Sequence, residues 1–116
     1  MSAKSKGIRL EREVKNELER NGFFVVRQAA SRFPDLVAVK KCKKFYGKNS
    51  FVNLYFIECK YKRENFTHKD KLKLLALSSK YGGYPILAYK EDNKIKLYNI
   101  ITGLFIRYNE KNGQDQ

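Results

Sequence analysis

The fold of this chain is decided by the stretch from Phe33 to Lys60, which reads FPDLVAVKKCKKFYGKNSFVNLYFIECK. An apolar, β-rich run follows Asp35, and a second such run ends in Glu58-Cys59-Lys60. Two runs of this kind joined by a polar segment predict a β-hairpin, with a basic turn at residues 40–50. Because side chains alternate between the two faces of a strand, Glu58 and Lys60 continue a row that is otherwise apolar.

Antiparallel pairing brings the start of one strand beside the end of its partner, so we expect Asp35, Glu58 and Lys60 to form a cluster. Two carboxylates suit Mg²⁺, and a lysine can orient an attacking water and offset charge on a phosphate. The cluster therefore suits a metal-dependent phosphodiester nuclease. A structural alternative stays open, because Asp after Pro is a common turn residue and Glu-x-Lys on an exposed strand is usually a solvated pair.

Length and charge limit the class of protein. The 116 residues predict one domain, 1–116, and the 25 Lys and Arg against 12 acids give a net charge of +13. An excess of that size predicts a polyanionic partner, with nucleic acid ahead of a membrane surface. No apolar run has the length of a membrane span and no signal-peptide core is present, so we expect a soluble, cytoplasmic protein without a membrane partner.

Two cysteines, Cys42 and Cys59, both lie in the predicted hairpin. Without a CxxC pair they do not predict a zinc site. They could face each other as a disulfide, or remain reduced as thiols usually do inside cells. The sequence leaves both states open.

The chain before the hairpin predicts a helix at residues 6–21 and a short strand at 23–27. The inward stripe of the helix includes Leu10, Val14 and Leu18, and Glu11 borders it. Glu11 is thus the helix acid best placed to face the body of the protein. Alternatively, it is a rim residue paired with Lys15 at i+4.

After the hairpin, Thr67-x-x-Asp70 predicts a capped helix that runs to about Tyr81. One predicted face comprises Leu72, Leu75, Ala76 and Ser79, and Leu74 and Leu77 widen the apolar arc, which could serve packing within the chain or against a partner subunit. Strands are predicted at 85–89, 94–101 and 104–108, and a disordered tail at 110–116. The predicted fold is therefore α/β, with a mixed central sheet flanked by helices.

Basic side chains around the hairpin predict contacts with DNA phosphates. A solvated, mobile hairpin tip would explain the lysines of the turn equally well. The residues predicted from their charge and position alone to contact DNA are Arg32, Lys41, Lys43, Lys44, Lys62 and Arg63.

In order and spacing, several segments resemble the archaeal Holliday junction resolvase family, cellular or viral, within the restriction-endonuclease-like PD-(D/E)XK nucleases. The segments are residues 6–13, residues 22–27 leading to Asp35-Leu36-Val37-Ala38, Glu58-Cys59-Lys60, and residues 81–88. The resemblance covers about residues 6–90 and fades beyond Tyr89. The turn at residues 40–50 is longer than usual in that family, and Ala30 stands where Gly is frequent.

This resemblance implies a single restriction-endonuclease-like domain, a homodimer, and Mg²⁺-dependent cutting of paired strands in a four-way junction, with Mn²⁺ as a substitute. The implied catalytic residues are Glu11, Asp35, Glu58 and Lys60. The implied metal ligands are Glu11, Asp35, Glu58 and the backbone carbonyl of Cys59. The implied DNA contacts are Arg12, Arg27 and Ser31.

Two other functions remain open from the sequence. One is a restriction-like or repair nuclease acting on flaps or duplex DNA. The other is a catalytically silent nucleic-acid-binding domain with the same fold. The acidic residues favour an enzyme, because DNA binding alone does not need carboxylates within a cationic surface.

Overall fold

The computed structural model describes residues 3–30, 32–46 and 49–108. Within these residues, two α-helices, five strands and one short 3-10 helix at Arg63–Asn65 follow one another in the predicted order of helix, three strands, helix and further strands. The main elements are α1 (Ala3–Arg20), β1 (Phe24–Arg27), β2 (Leu36–Tyr46), β3 (Asn49–Cys59), α2 (His68–Tyr81), β4 (Tyr84–Glu91) and β5 (Lys94–Asn99). The mixed sheet with flanking helices confirms the predicted fold class.

The five strands form one sheet in the order β1-β2-β3-β4-β5. β1, β2 and β3 pair antiparallel, and so do β4 and β5, whereas β3 and β4 are parallel. A parallel pair needs a crossover connection, and α2 supplies it here. In the hairpin, Leu36 lies opposite Ile57, and this register places Asp35 next to the end of β3.

Each face of the sheet carries one helix. Leu10, Val14 and Leu18 of α1 are buried against one face, together with Tyr55 and Ile57 of β3. Their spacing of four residues keeps them on one side of the helix, as predicted. α2 contacts β3 and β4, and Phe56 points to the face opposite Tyr55 and Ile57 because strand side chains alternate.

The cap of α2 is confirmed, but the side of the helix that is most buried lies in the widened apolar arc rather than on the predicted face. Thr67 and Asp70 form a capping box, and Gly82 ends the helix in the left-handed conformation. Leu74 is fully buried, whereas Leu72 is 53% exposed and Ala76 and Ser79 are also exposed. The helix is apolar over a wide arc, so packing on the sheet rather than periodicity decides which side turns inward.

The hairpin turn and the last predicted strand differ most from the prediction. The hairpin strands continue to Tyr46 and resume at Asn49, so most of the predicted turn at 40–50 is strand, with a register shift between Lys41 and Phe45. Residues 104–108 do not form a strand, and only a single bridge joins Phe105 to Tyr98 of β5. The predicted tail at 110–116 lies outside the described residues.

Both cysteines are free thiols. Among the helices that the structure describes, none combines the length and the apolar character needed to cross a bilayer.

Candidate active site at the paired ends of β2 and β3

Asp35 and Glu58 lie side by side, and each carboxylate binds the backbone of the opposite strand. The backbone N–H of Asp35 donates to Glu58 Oε1 at 3.1 Å. The N–H of Cys59 donates to Asp35 Oδ2 at 2.9 Å. These reciprocal hydrogen bonds follow from the hairpin register and fix both acids where β2 begins and β3 ends.

The loop before Asp35 is fastened to β1. The backbone N–H of Gln28 donates to the carbonyl of Asp35 at 2.9 Å, and its side-chain amide donates to the carbonyl of Pro34 at 2.6 Å. Asp35 therefore enters β2 from a loop whose last two residues are hydrogen-bonded to Gln28. Its carboxylate position depends on the strand pairing and on this loop together.

Lys60 joins the two acids at the end of β3. Its ammonium lies 3.8 Å from Glu58 Oε2, and its backbone N–H donates to the carbonyl of Ala88 in β4 at 2.9 Å. Glu58 is only 7% exposed, and it is the one buried charged residue in the described part of the chain. The alternative of a solvated Glu-x-Lys pair on an exposed strand is thus wrong for Glu58.

Glu11 reaches this neighbourhood from α1. Arg27 of β1 donates through Nε to Glu11 Oε1 at 2.9 Å, while Lys15 pairs with Glu19 instead. The predicted alternative, a rim pair between Glu11 and Lys15, is therefore wrong. Burial and the charge of Asp35 raise the pKa of Glu11, and the hydrogen bond from Arg27 opposes the rise.

The acids carry more negative charge than their surroundings offset. Burial, followed by the charge of Asp35, raises the pKa of Glu58 to about 8. Burial also raises the pKa of Asp35, although the Cys59 N–H and the Lys60 charge oppose this. Without a cation the pair favours holding a proton, and a divalent cation would supply the missing positive charge.

The donor set fits a hard cation with few protein ligands. Within the described residues, no three or more Asp, Glu, His or Cys side chains gather closely enough to hold a metal ion by themselves. Mg²⁺ does not require such a cage, because it is usually bound by one or two carboxylates plus water and substrate phosphate. Asp35 and Glu58 match that requirement.

Cys59, between Glu58 and Lys60, plays a different part. Its side chain packs against the core that α1 covers. Burial, and then the nearby carboxylates, raise the pKa of its thiol. The thiol is thus a packing group, and its proposed role in binding a metal concerns its backbone carbonyl alone.

The predicted DNA contacts differ in how freely they meet solvent. Arg12, Arg32, Lys41, Lys62 and Arg63 are exposed, whereas Arg27 is half-buried and paired with Glu11. Arg63 also stacks over the ring of Tyr98 at 4.9 Å. Ser31 and the side chains of Lys43 and Lys44 lie outside the described residues.

One further acid, Asp70, lies next to this site and is not among the predicted site residues. Asp70 Oδ2 lies 3.4 Å from the Lys60 ammonium. The capping motif had identified Asp70 only as a helix cap. The sequence position of Asp70 could have indicated this contact. A helix that begins shortly after Lys60 and packs on the same sheet can bring its first turn back to the end of β3.

Comparisons with known proteins identify the family of this chain. A family model described as archaeal Holliday junction resolvase (Hjc) matches residues 2–111. A curated relative, the crossover junction endodeoxyribonuclease Hjc of Methanocaldococcus jannaschii, is 33% identical over 95 residues, which are 81% of this chain. The match spans 65% of that relative's length.

A solved structure shares the fold. Hjc of Archaeoglobus fulgidus, a Holliday junction resolvase, aligns with a TM-score of 0.63 at 24% identity, over 83% of this chain and 74% of that one. At that identity the likeness concerns the fold. It supports the mixed sheet with a helix on each face.

Proposed function

The chain belongs to the archaeal Holliday junction resolvase family, and on that premise we propose that it is a DNA endonuclease that resolves four-way junctions. The observation that carries the proposal is the cluster of Asp35, Glu58 and Lys60, in which two carboxylates sit beside a lysine at the paired ends of β2 and β3. A phosphodiester nuclease needs carboxylates for a cation and a positive group near the attacked phosphate. Its place of action would be the cytoplasm, where junctions form in DNA.

Asp35 and Glu58 would hold Mg²⁺ or Mn²⁺, together with the backbone carbonyl of Cys59. When bound, the cation would polarise the scissile phosphate and lower the pKa of a bound water. Glu11 joins the ligands only if it exchanges its ion pair with Arg27 for the cation. Titrating Mn²⁺ into Glu11→Gln and into the unaltered protein compares their Mn²⁺ affinities and so tests whether Glu11 is a ligand.

Lys60 would act on the water and the phosphate. Its ammonium is already beside Glu58, where it can donate hydrogen bonds to the attacking water and offset charge that develops on phosphate oxygens. Glu58, whose pKa is raised, can take up a proton when no cation is bound. The roles of Lys60 and Glu58 are thus positional and electrostatic, and neither needs a covalent intermediate.

The basic residues would bind DNA near the acids and along the hairpin. The exposed side chains of Arg12, Arg32, Lys41, Lys62 and Arg63 are available for phosphates. Arg12 and Arg27 would contact DNA near the cut, and Arg27 is already paired with Glu11 beside the acids. Ser31, Lys43 and Lys44 complete the proposed DNA contacts.

A homodimer would allow two opposed strands to be cut. The sheet face that carries α2 has an uncovered part near β1, which we call the open sheet face: Phe24, Val26, Val37, Val39, Val52 and Leu54. Phe24 is 68% exposed, Val52 63% and Val26 47%. An apolar face of this kind on a strongly basic protein suits a second copy of the chain better than it suits DNA.

The decisive test is cleavage of a labelled synthetic four-way junction in Mg²⁺, with nicks mapped on all four strands. Linear duplex and flap DNA of the same sequence serve as controls. Paired nicks at the junction alone support a resolvase. Equal cutting of flaps or duplex would favour a repair-type nuclease, and metal-independent binding without nicks would favour the silent binding domain.

A further inference from the structure

We infer that Asp70 is a positioning residue for the proposed nuclease reaction: from the first turn of α2 it holds the ammonium of Lys60 in place beside Glu58. The inference rests on the proposed function and adds to it a residue outside the acidic cluster. Asp70 would not touch the cation or the DNA. It would act through Lys60.

The distances place the lysine between two acids. Lys60 Nζ lies 3.4 Å from Asp70 Oδ2 and 3.8 Å from Glu58 Oε2. These are the ion pairs of Lys60 within the described residues. All three side chains are shielded: counting side-chain atoms alone, the exposed fraction is 27% for Lys60, 17% for Asp70 and 9% for Glu58. Shielding strengthens such interactions relative to those of freely solvated pairs.

Asp70 is itself held rigidly. Its Oδ2 accepts the backbone N–H of Thr67 at 3.0 Å, and its own N–H donates to Thr67 Oγ1 at 3.0 Å. One helical turn later, Leu74 is fully buried. Residues four apart share a helix face, so the leucine fixes α2 on the sheet and thereby fixes the carboxylate of Asp70 relative to β3.

Lysine needs such a partner more than most residues. Its four-carbon stem is flexible, and ordering it in one position costs rotamer entropy. With Asp70 present, the ammonium has a fixed second acceptor away from the carboxylate pair. Without the charge of Asp70, the ammonium of Lys60 would be drawn towards Glu58 and Asp35, where it would compete with the divalent cation.

The competing interpretation is that Asp70 serves only as a helix cap. Two variants separate the possibilities. Asp70→Asn keeps the size of the side chain and an oxygen that can accept the Thr67 N–H, but removes the charge. Asp70→Glu keeps the charge and places at this position the residue that is usual in a capping box. A cap alone would tolerate both.

The test measures single-turnover cleavage of the junction in Mg²⁺ and junction binding in Ca²⁺ or EDTA. We expect Asp70→Asn to lower the cleavage rate constant about 10- to 100-fold, as is usual for residues that orient a site from outside it. Junction affinity should stay within about threefold, and Asp70→Glu should recover most of the rate. Glu19→Gln, at an exposed ion pair, controls for the loss of one negative charge.

Three outcomes would overturn the inference. Asp70→Asn could cleave at the unaltered rate, Asp70→Glu could be as slow as Asp70→Asn, or the loss could lie in junction affinity rather than in the rate. Each would remove the role of the Asp70 charge in placing Lys60.

A measurement without DNA or metal separates this inference from the proposed function. Urea unfolding of Lys60→Met, Asp70→Asn and the double variant in EDTA forms a double-mutant cycle. Non-additive losses support the coupling even if the unaltered protein fails to cut junctions, and in that case the proposed function alone is overturned. Strict additivity would show that the two side chains do not interact and would overturn the positioning role.

Discussion

Replacing Glu58 with glutamine should remove most of the pH dependence of stability in the metal-free protein. The unaltered protein should lose stability as the pH rises from 5 to 8, and Glu58→Gln should lose much less. The carboxyl of Glu58 is buried beside Asp35, and its pKa is raised from 4.5 to about 8. Between those values the folded chain holds a proton that the unfolded chain has released. The stabilising contribution is therefore fully present below pH 4.5 and is lost as the pH rises through 8.

The size of the effect follows from the linkage between protonation and folding. One proton held only by the folded state lowers the free energy of unfolding by about 1.4 kcal/mol for each pH unit. From pH 5 to pH 8 the loss is thus at most about 4 kcal/mol. Asp35 and Glu58 interact closely, so the pH dependence belongs to the pair. Glutamine keeps the acceptor for the Asp35 N–H but cannot ionise.

The assay is urea unfolding followed by circular dichroism in EDTA at pH 5, 6, 7 and 8. Glu19→Gln serves as the control, because it removes an exposed glutamate and should leave the slope unchanged. At pH 8, Mn²⁺ at about 100 times its Kd should stabilise the unaltered protein by about 2.7 kcal/mol and Glu58→Gln by less. Parallel pH curves for Glu58→Gln and the unaltered protein would refute the reasoning.

Three further predictions test the site, the packing and the assembly. Asp35→Ala and Lys60→Ala should abolish junction cleavage in a gel assay while junction binding survives, and retained cutting by Asp35→Ala would contradict the proposed site. Leu74→Ala should lower the free energy of unfolding by about 2 to 5 kcal/mol in urea titrations, because it opens a cavity in the core. The exposed Leu72→Ala should change it by less than about 0.5 kcal/mol, and similar losses would contradict the assigned face of α2. Phe24→Glu should shift the mass in analytical ultracentrifugation from dimer to monomer, and an unchanged dimer would exclude the open sheet face as its interface.

The acidic cluster shows how much local sequence can predict. Asp35 begins one strand of a hairpin and Glu58 ends the other, and pairing of neighbouring strands leaves little freedom in which residues meet. The sequence therefore predicts that these two acids lie together with Lys60. Their roles as ligands and catalysts stay predictions for the cleavage and metal-binding experiments.

Contacts between elements that are far apart along the chain are harder to predict from the sequence. Glu11 was placed on the inner edge of α1, but the choice between Lys15 and Arg27 as its partner depends on how α1 crosses β1. The second helix illustrates the same limit. Its apolar arc is wide enough to admit two inward faces, and the face containing Leu74 is selected by contact with the sheet.

By itself the sequence determined the order of elements, the hairpin, the capping box of α2 and the pairing of Asp35 with Glu58. These features depend on alternation, turn residues and neighbouring strands, all of which act over short distances along the chain. Only the tertiary structure decided that Glu58 is buried, that Arg27 binds Glu11, and that Asp70 returns to Lys60. Burial and contacts between separate elements arise when helices pack on a sheet, and their free energy depends on surfaces that no single segment carries.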